Sequence, residues 1–170
     1  MKIYLIGMPG SGKSTLGNLL ALELGYEYVD TDGLIEHSQG MTIEHIFSHH
    51  GENYFRQCEH EALQSTVGLK NTVISTGGGT PCFYNNMEII NANGISVYLE
   101  VSTPTLCDRL FSEHSHRPML KGKSKEELYR FVEEKRKERE WFYKKAHYTV
   151  RGDDITVKNI LTEIKDRLLM

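Results

Sequence analysis

The chain has 170 residues, a mass of 19.5 kDa and a net charge of −3. A chain of this length folds as one domain without a disulfide or a metal, and it contains no apolar run as long as the roughly 18 residues of a membrane helix. The negative charge excludes a surface that is basic throughout, so neither nucleic acid nor membrane is an expected partner. Three scattered cysteines and no secretory signal predict a cytoplasmic protein.

The apolar pattern alternates between short strands and helices along the chain. Strands are predicted at residues 2–6, 27–30, 72–76, 95–101 and 147–150. Helices are predicted at 14–24, within 34–67 with breaks near Gly40 and Gly51, and at 103–111, 126–143 and 155–169. Thr103 is expected to cap the helix in which Pro104 takes the first position. This alternation predicts a mainly parallel sheet covered on both faces, with ligands at the carboxyl ends of its strands.

Residues 112–125 interrupt the alternation of strands and helices. Their sequence, SEHSHRPMLKGKSK, is polar, contains Pro118 and Gly122 and has little periodic hydrophobicity. We predict a surface loop here and expect it to act as a lid over a ligand.

The strongest motif is the glycine-rich segment GMPGSGKS at residues 7–14. It matches G-x-x-x-x-G-K-[ST] between a strand and an amphipathic helix, which is the context that a phosphate-binding loop requires. Glycines let successive N–H groups point at phosphate, and the helix that follows adds its positive dipole end. Lys13 is expected to bind the β- and γ-phosphates, and Ser14 to ligate Mg²⁺. The loop alone does not choose among nucleotide-hydrolysing and kinase functions, although no N-K-x-D segment for guanine recognition is present.

Two acidic residues, Asp30 and Asp32, come at the end of the second predicted strand. If the strand alternation continues, both side chains point the same way, towards the phosphate loop. One carboxylate could then hold Mg²⁺ while the other orients or deprotonates an acceptor hydroxyl. The alternative is that Asp32 only caps the next helix.

Glycines and arginines complete the set of candidate residues. Gly77 to Gly79 follow a buried strand, where bare backbone could approach a ligand or simply turn the chain. Arg56, Arg117 and Arg139 are each, taken alone, consistent with an ordinary surface position. An anionic acceptor and a transferring phosphoryl group would both need arginine, because its planar fork binds carboxylate or phosphate through two hydrogen bonds.

In this order, the motifs resemble those of the shikimate kinase family. The resemblance spans nearly the whole chain: GMPGSGKST, DTD, GENYFR, GGG, RPML, and Arg139 four residues before Tyr143. It implies an α/β fold, a three-layer α/β/α P-loop sandwich with a five-stranded parallel sheet, in one domain over residues 1–170. It also implies a small helical substrate-binding region at 33–60 and a lid at 112–125. The implied activity moves the γ-phosphoryl group of ATP to the 3-hydroxyl of shikimate in a monomeric enzyme.

The resemblance implies nucleotide and metal ligands among the motif residues. One Mg²⁺ ion would bind Ser14 and, through water, Asp30. The implied ATP-binding residues are Gly10, Ser11, Gly12, Lys13, Ser14, Thr15, Arg109 against adenine, and Arg117. Lys13 and Arg117 would also be catalytic, because they neutralise the charge of the transferring phosphoryl group.

The same resemblance implies the acceptor site. Asp32 would bind the shikimate hydroxyls and act as, or orient, the catalytic base. Arg56 and Arg139 would bind the carboxylate, while Gly78 and Gly79 would offer backbone N–H groups. The alternatives are another small P-loop kinase, for gluconate or a nucleotide, and a non-catalytic relative that only binds nucleotide.

Overall fold

The computed structural model of the chain describes residues 1–113, 120 and 122–170. In this part of the chain, five parallel strands form one sheet in the order β2-β3-β1-β4-β5. The strands are β1 (Lys2–Ile6), β2 (Glu27–Asp30), β3 (Thr72–Ser75), β4 (Ile95–Glu100) and β5 (Tyr148–Arg151). The predicted parallel sheet is confirmed, and no predicted strand end differs from the observed one by more than one residue.

Seven α-helices surround the sheet within the described residues. They are α1 (Lys13–Leu24), α2 (Thr31–Gln39), α3 (Ile43–Ser65), α4 (Asn86–Asn93), α5 (Thr103–Glu113), α6 (Lys125–Tyr143) and α7 (Val157–Leu168). The sequence did not predict α4 or the short 3₁₀ turn at Thr80–Cys82. None of the helices in the described ranges is both long and apolar enough to cross a membrane.

The core consists of one layer on each face of the sheet. In the central strand β1, Tyr4 and Ile6 face a buried cluster that contains residues of α3 to α6. Ile3 and Leu5 face the opposite cluster, which contains residues of α1 and α7. This alternation buries β1 on both faces, so the predicted three-layer sandwich is confirmed.

The helices α2 and α3 begin and end at recognisable signals. Gly40 ends α2 in the left-handed conformation with φ 65°, and Thr42 caps α3 by accepting the N–H of His45. The predicted break at Gly51 is a kink inside α3, where φ is 83°. These two helices pack through a small apolar cluster of their own, which includes Ile35, Ile46, Phe55, Cys58 and Ala62.

Two local predictions are wrong. α2 begins at Thr31, directly after β2, and Asp30 rather than Asp32 is its cap, because the Asp30 carboxylate accepts the N–H of Asp32 at 2.9 Å. Strand alternation therefore does not apply to Asp32. At α5, the Ser102 carbonyl accepts the first helical hydrogen bond, so Thr103 is not the cap. The Thr103 hydroxyl instead donates to the Glu133 carboxylate at 2.6 Å.

Half of the predicted lid falls outside the described residues, because 114–119 and 121 are not among them. This gap includes Arg117. At the two ends of the predicted loop, residues 112 and 113 continue α5, and Lys125 begins α6.

Candidate active site

The phosphate loop connects β1 to α1 and depends on three glycines with positive φ. Gly7, Gly10 and Gly12 have φ of 149°, 83° and 93°, which other residues rarely adopt. Gly12 occupies the N-cap of α1 and offers no side-chain cap. The N–H groups of the first turn are therefore open to an anion, as a phosphate-binding loop requires.

Lys13 lies across the loop that precedes it. Its Nζ donates hydrogen bonds to the carbonyls of Gly7 at 2.8 Å and Met8 at 2.9 Å, and the residue is only 9% exposed. The dipoles of these carbonyls stabilise the ammonium charge, and the two hydrogen bonds hold Nζ at the loop. A phosphate bound in the loop would lie within reach of this cation.

Ser14 and Asp30 form an oxygen pair beside the loop. The Ser14 hydroxyl donates to Asp30 Oδ2 at 3.0 Å, while Asp30 Oδ1 accepts the backbone N–H of Asp32. A hydroxyl and a carboxylate are the hard oxygen ligands that Mg²⁺ prefers, and this ion usually keeps waters and substrate phosphates as its other ligands. The donor chemistry therefore fits the predicted metal. The described residues contain no group of three or more His, Cys, Asp or Glu that could hold a metal.

Arg109 approaches the same loop from α5. Its Nη1 donates to the Gly10 carbonyl at 3.1 Å and its Nη2 to the Asp153 carbonyl at 2.6 Å. The guanidinium thus links the phosphate loop to the segment after β5. Contact with adenine stays a prediction, and this position next to the loop is compatible with it.

A cavity of about 730 Å³ opens next to the phosphate loop. It brings together residues that lie far apart in the sequence. The predicted site residues that line it are Asp30, Asp32, Arg56, Gly78, Gly79 and Arg139. The sequence-predicted acceptor residues therefore share one cavity.

Arg56 is buried in this cavity wall and held by two acids of its own helix. Its Nη1 lies 2.6 Å from Glu59 Oε1, and its Nη2 lies 3.2 Å from Glu52 Oε1. The guanidinium also stacks over the Phe83 ring, 4.3 Å from the centroid. Glu59 is itself buried and accepts a second hydrogen bond from the Thr80 hydroxyl at 2.6 Å. Arg56 is therefore fixed in orientation before any ligand arrives.

Sequence reasoning missed Glu59 and its partner Thr80. Glu59 follows Arg56 by three positions on one helix, a spacing at which opposite charges commonly pair. That signal was available in the sequence. The contact with Thr80 was not, because it joins α3 to a turn that the sequence did not predict.

The three glycines after β3 are needed for close packing, because the backbone at this point is crowded. A Cβ on Gly79 would lie 2.3 Å from Nη1 of Arg56. A Cβ on Gly78 would lie 2.7 Å from Cδ of Pro9 and 3.2 Å from Nη1 of Arg139. The absence of side chains at Gly78 and Gly79 therefore leaves space for the guanidinium groups of Arg139 and Arg56.

Tyr143 holds the glycine segment from the helix that carries Arg139. Its hydroxyl donates to the Gly78 carbonyl at 2.5 Å, and the ring is fully buried. Burial raises the pKa of Tyr143 above its ordinary value, so the hydroxyl stays protonated and remains a donor. Arg139, one turn earlier on α6, is buried beside it.

Comparison with known proteins identifies the family of this fold and site. The sequence profile described as shikimate kinase matches residues 9–169. The shikimate kinase of Azobacteroides pseudotrichonymphae is 39% identical over 98% of this chain and 99% of its own length. That of Sulfurihydrogenibium is 41% identical over 97% of this chain and 98% of its own length. The chain belongs to the shikimate kinase family. The family predicted from the motifs is thereby confirmed.

Solved structures agree with this assignment. The shikimate kinase of Bacteroides thetaiotaomicron superimposes with a TM-score of 0.92 at 35% identity, over 100% of this chain and 99% of that one. A shikimate kinase from Acinetobacter baumannii, solved in complex with shikimate, gives 0.88 at 33% identity, over 99% of this chain and 92% of that one. A deoxyadenosine kinase from M. mycoides gives 0.62 at 22% identity over the full length of both chains, and it supports the fold alone.

Proposed function

We propose that this protein is a shikimate kinase, an enzyme that transfers the γ-phosphoryl group of ATP to the 3-hydroxyl of shikimate. The products are shikimate 3-phosphate and ADP, on the route to the aromatic amino acids. One observation carries the proposal: a carboxylate, Asp32, and two buried arginines, Arg56 and Arg139, line one cavity beside a phosphate loop. Such a cavity suits an acceptor that has both hydroxyl groups and a carboxylate.

In the nucleotide half, the loop amides and Lys13 bind the phosphates of ATP. Lys13 exchanges its contacts with the Gly7 and Met8 carbonyls for phosphate oxygens. Ser14 and Asp30 would hold Mg²⁺, which when bound supplies positive charge at the β- and γ-phosphates. Arg117 lies outside the described residues, and its proposed role in neutralising the phosphoryl group rests on the RPML motif alone.

In the acceptor half, Arg56 and Arg139 bind the shikimate carboxylate and thereby fix the ring. Asp32 orients the 3-hydroxyl and accepts its proton, while Gly78 and Gly79 contribute backbone N–H groups. Phosphoryl transfer requires little covalent participation from the protein, so positioning and charge neutralisation account for most of the catalysis. Arg56 is well suited to positioning because Glu59 and Phe83 hold its plane.

The direct test measures ADP release from Mg·ATP with and without shikimate, with gluconate and a nucleoside monophosphate as comparison acceptors. We expect release that depends on shikimate. Release that depends on gluconate or on the nucleotide would contradict the proposed acceptor. The absence of release despite bound ATP would favour a non-catalytic relative.

Replacement of Asp32 by Asn tests the proposed base. The variant keeps the size of the side chain but cannot accept a proton, so we expect kcat to fall by about 10² to 10⁴-fold with ATP binding retained. Asp166→Asn, at an exposed position on α7, is the matched control and should leave kcat unchanged. Wild-type turnover by the Asp32→Asn variant would contradict this role of Asp32.

The remaining expectations from the sequence stay predictions. These are a monomeric state, a cytoplasmic location, no nucleic-acid or membrane partner, and the division of the single domain into substrate helices at 33–60 and a lid at 112–125. Sedimentation of the purified protein would test the first of them.

A further inference from the structure

A third cation lies on the same helix face as Arg139. Lys135 precedes Arg139 by four residues on α6, so the two side chains project from the same side of the helix. Both line the cavity that contains Asp32 and Arg56. The Lys135 side chain is 27% exposed, which is low for a residue type that usually extends fully into solvent.

The contacts of Lys135 leave its charge available to a ligand. Its Nζ lies 3.3 Å from Glu138 Oε2, but the Glu138 side chain is 64% exposed, and ion pairs of this kind contribute little. The Phe131 ring lies 5.8 Å from the ammonium and also lines the cavity. Arg56, in contrast, is fixed by the buried Glu59. Lys135 can therefore exchange a weak partner for an anion in the cavity at small cost.

We propose that Lys135 is a third cation for the acceptor carboxylate, in addition to Arg56 and Arg139, and that it sets the preference for a charged acceptor. This inference rests on the proposed function and extends it. The two arginines supply planar forks, whereas a lysine ammonium is a compact charge on a flexible stem that can follow the carboxylate. Because this contact is present before and during phosphoryl transfer, it acts on acceptor affinity and leaves kcat largely unchanged.

A thermodynamic cycle tests the proposal by removing the Lys135 ammonium from the protein and the charge of the carboxylate from the ligand, separately and together. Calorimetry in the presence of ADP would measure the Kd of shikimate and of its uncharged methyl ester for wild type and Lys135→Met. For the acid we expect Kd to rise by about fivefold in the variant, because a partly exposed, charge-assisted contact is lost. For the ester we expect no change. Lys135→Arg should restore most of the acid affinity.

Lys137→Met is the matched control, since Lys137 is exposed on the same helix and does not line the cavity. It should alter neither Kd. Equal losses for acid and ester in Lys135→Met would show a structural effect and overturn the proposal. Unchanged acid binding would also overturn it.

The binding measurements, together with the ADP-release assay, distinguish failure of this proposal from failure of the proposed function. Wild-type protein that neither binds nor phosphorylates shikimate would overturn both. If the wild-type protein phosphorylates shikimate and Lys135→Met binds shikimate with an unchanged Kd, only the role of Lys135 would be overturned.

Discussion

Gly79→Ala is the sharpest test of how the acceptor site is built. The new methyl carbon would lie 2.3 Å from Nη1 and 2.8 Å from Cζ of Arg56. The backbone of Gly79 has φ −86° and ψ −14°, which alanine adopts without strain. The substitution therefore acts only through the space that Arg56 occupies.

The size of the effect follows from this contact. A carbon atom needs about 3.5 Å to a neighbouring heavy atom, so the guanidinium must retreat by roughly 1 Å. Its retreat is resisted by the 2.6 Å contact with Glu59 and by the stacked Phe83 ring. A misplacement of 1 Å at a positioning group can cost about 100-fold, so we expect kcat/KM for shikimate to fall by about 10- to 100-fold. Overpacking should also lower the free energy of unfolding by about 1–3 kcal/mol.

Steady-state kinetics for both substrates and urea unfolding would check this prediction. KM for ATP should stay within about twofold, because the phosphate loop is not touched. Gly68→Ala is the control, since a Cβ there would meet no atom within 4 Å. If Gly79→Ala kept wild-type kcat/KM for shikimate, Arg56 would not need the space that this glycine leaves, and the reasoning would be refuted.

Two further predictions concern stability. Tyr143→Phe removes the buried hydroxyl that donates to the partly buried Gly78 carbonyl, and urea unfolding should show a loss of about 1–3 kcal/mol. An unchanged midpoint would contradict this. Nδ1 of His147 accepts the N–H of Ser96, so the neutral ring is favoured, and desolvation together with nearby Arg167 lowers the pKa of His147. This stabilisation is present above about pH 6.5 and is lost as pH falls through the lower folded pKa. Between pH 7 and 5, wild type should therefore lose more unfolding free energy than His147→Asn, and parallel losses would contradict the role of the ring.

The nucleotide half of the site could be predicted from the sequence because it is local. Gly7 to Ser14 contain the loop, the lysine and the hydroxyl within one turn between a strand and a helix. Their conformations follow from residue type, since three positive φ values fall on glycines. The ends of the strands were equally predictable, because short β-branched and apolar segments mark buried parallel strands.

For the cavity beside the loop, the sequence predicted several lining residues but not the contacts between them. The strand-alternation argument for Asp32 was wrong because α2 begins immediately after β2, with Asp30 as its cap. The packing of Arg56 against Gly79 joins two segments more than 20 residues apart. No local pattern encodes such a contact, and sequence spacing shows only that the residue types are compatible with it.

The sheet order explains how these distant segments come to share one cavity. Because β3 lies between β2 and β1, the carboxyl ends of these strands place the acids after β2 and the glycines after β3 beside the phosphate loop after β1. Parallel strands require all three ends to lie at the same edge. Helix α6 then brings Arg139 and Lys135 to this edge, and the Tyr143 hydroxyl ties the helix to the Gly78 carbonyl. In the proposed function, the charge that would recognise the acceptor is therefore carried by helices, whereas the groups that would contact the phosphates and the reacting hydroxyl lie at the strand ends or directly after them. Substitutions of Arg139 or Lys135 should accordingly change acceptor affinity more than the phosphoryl-transfer step.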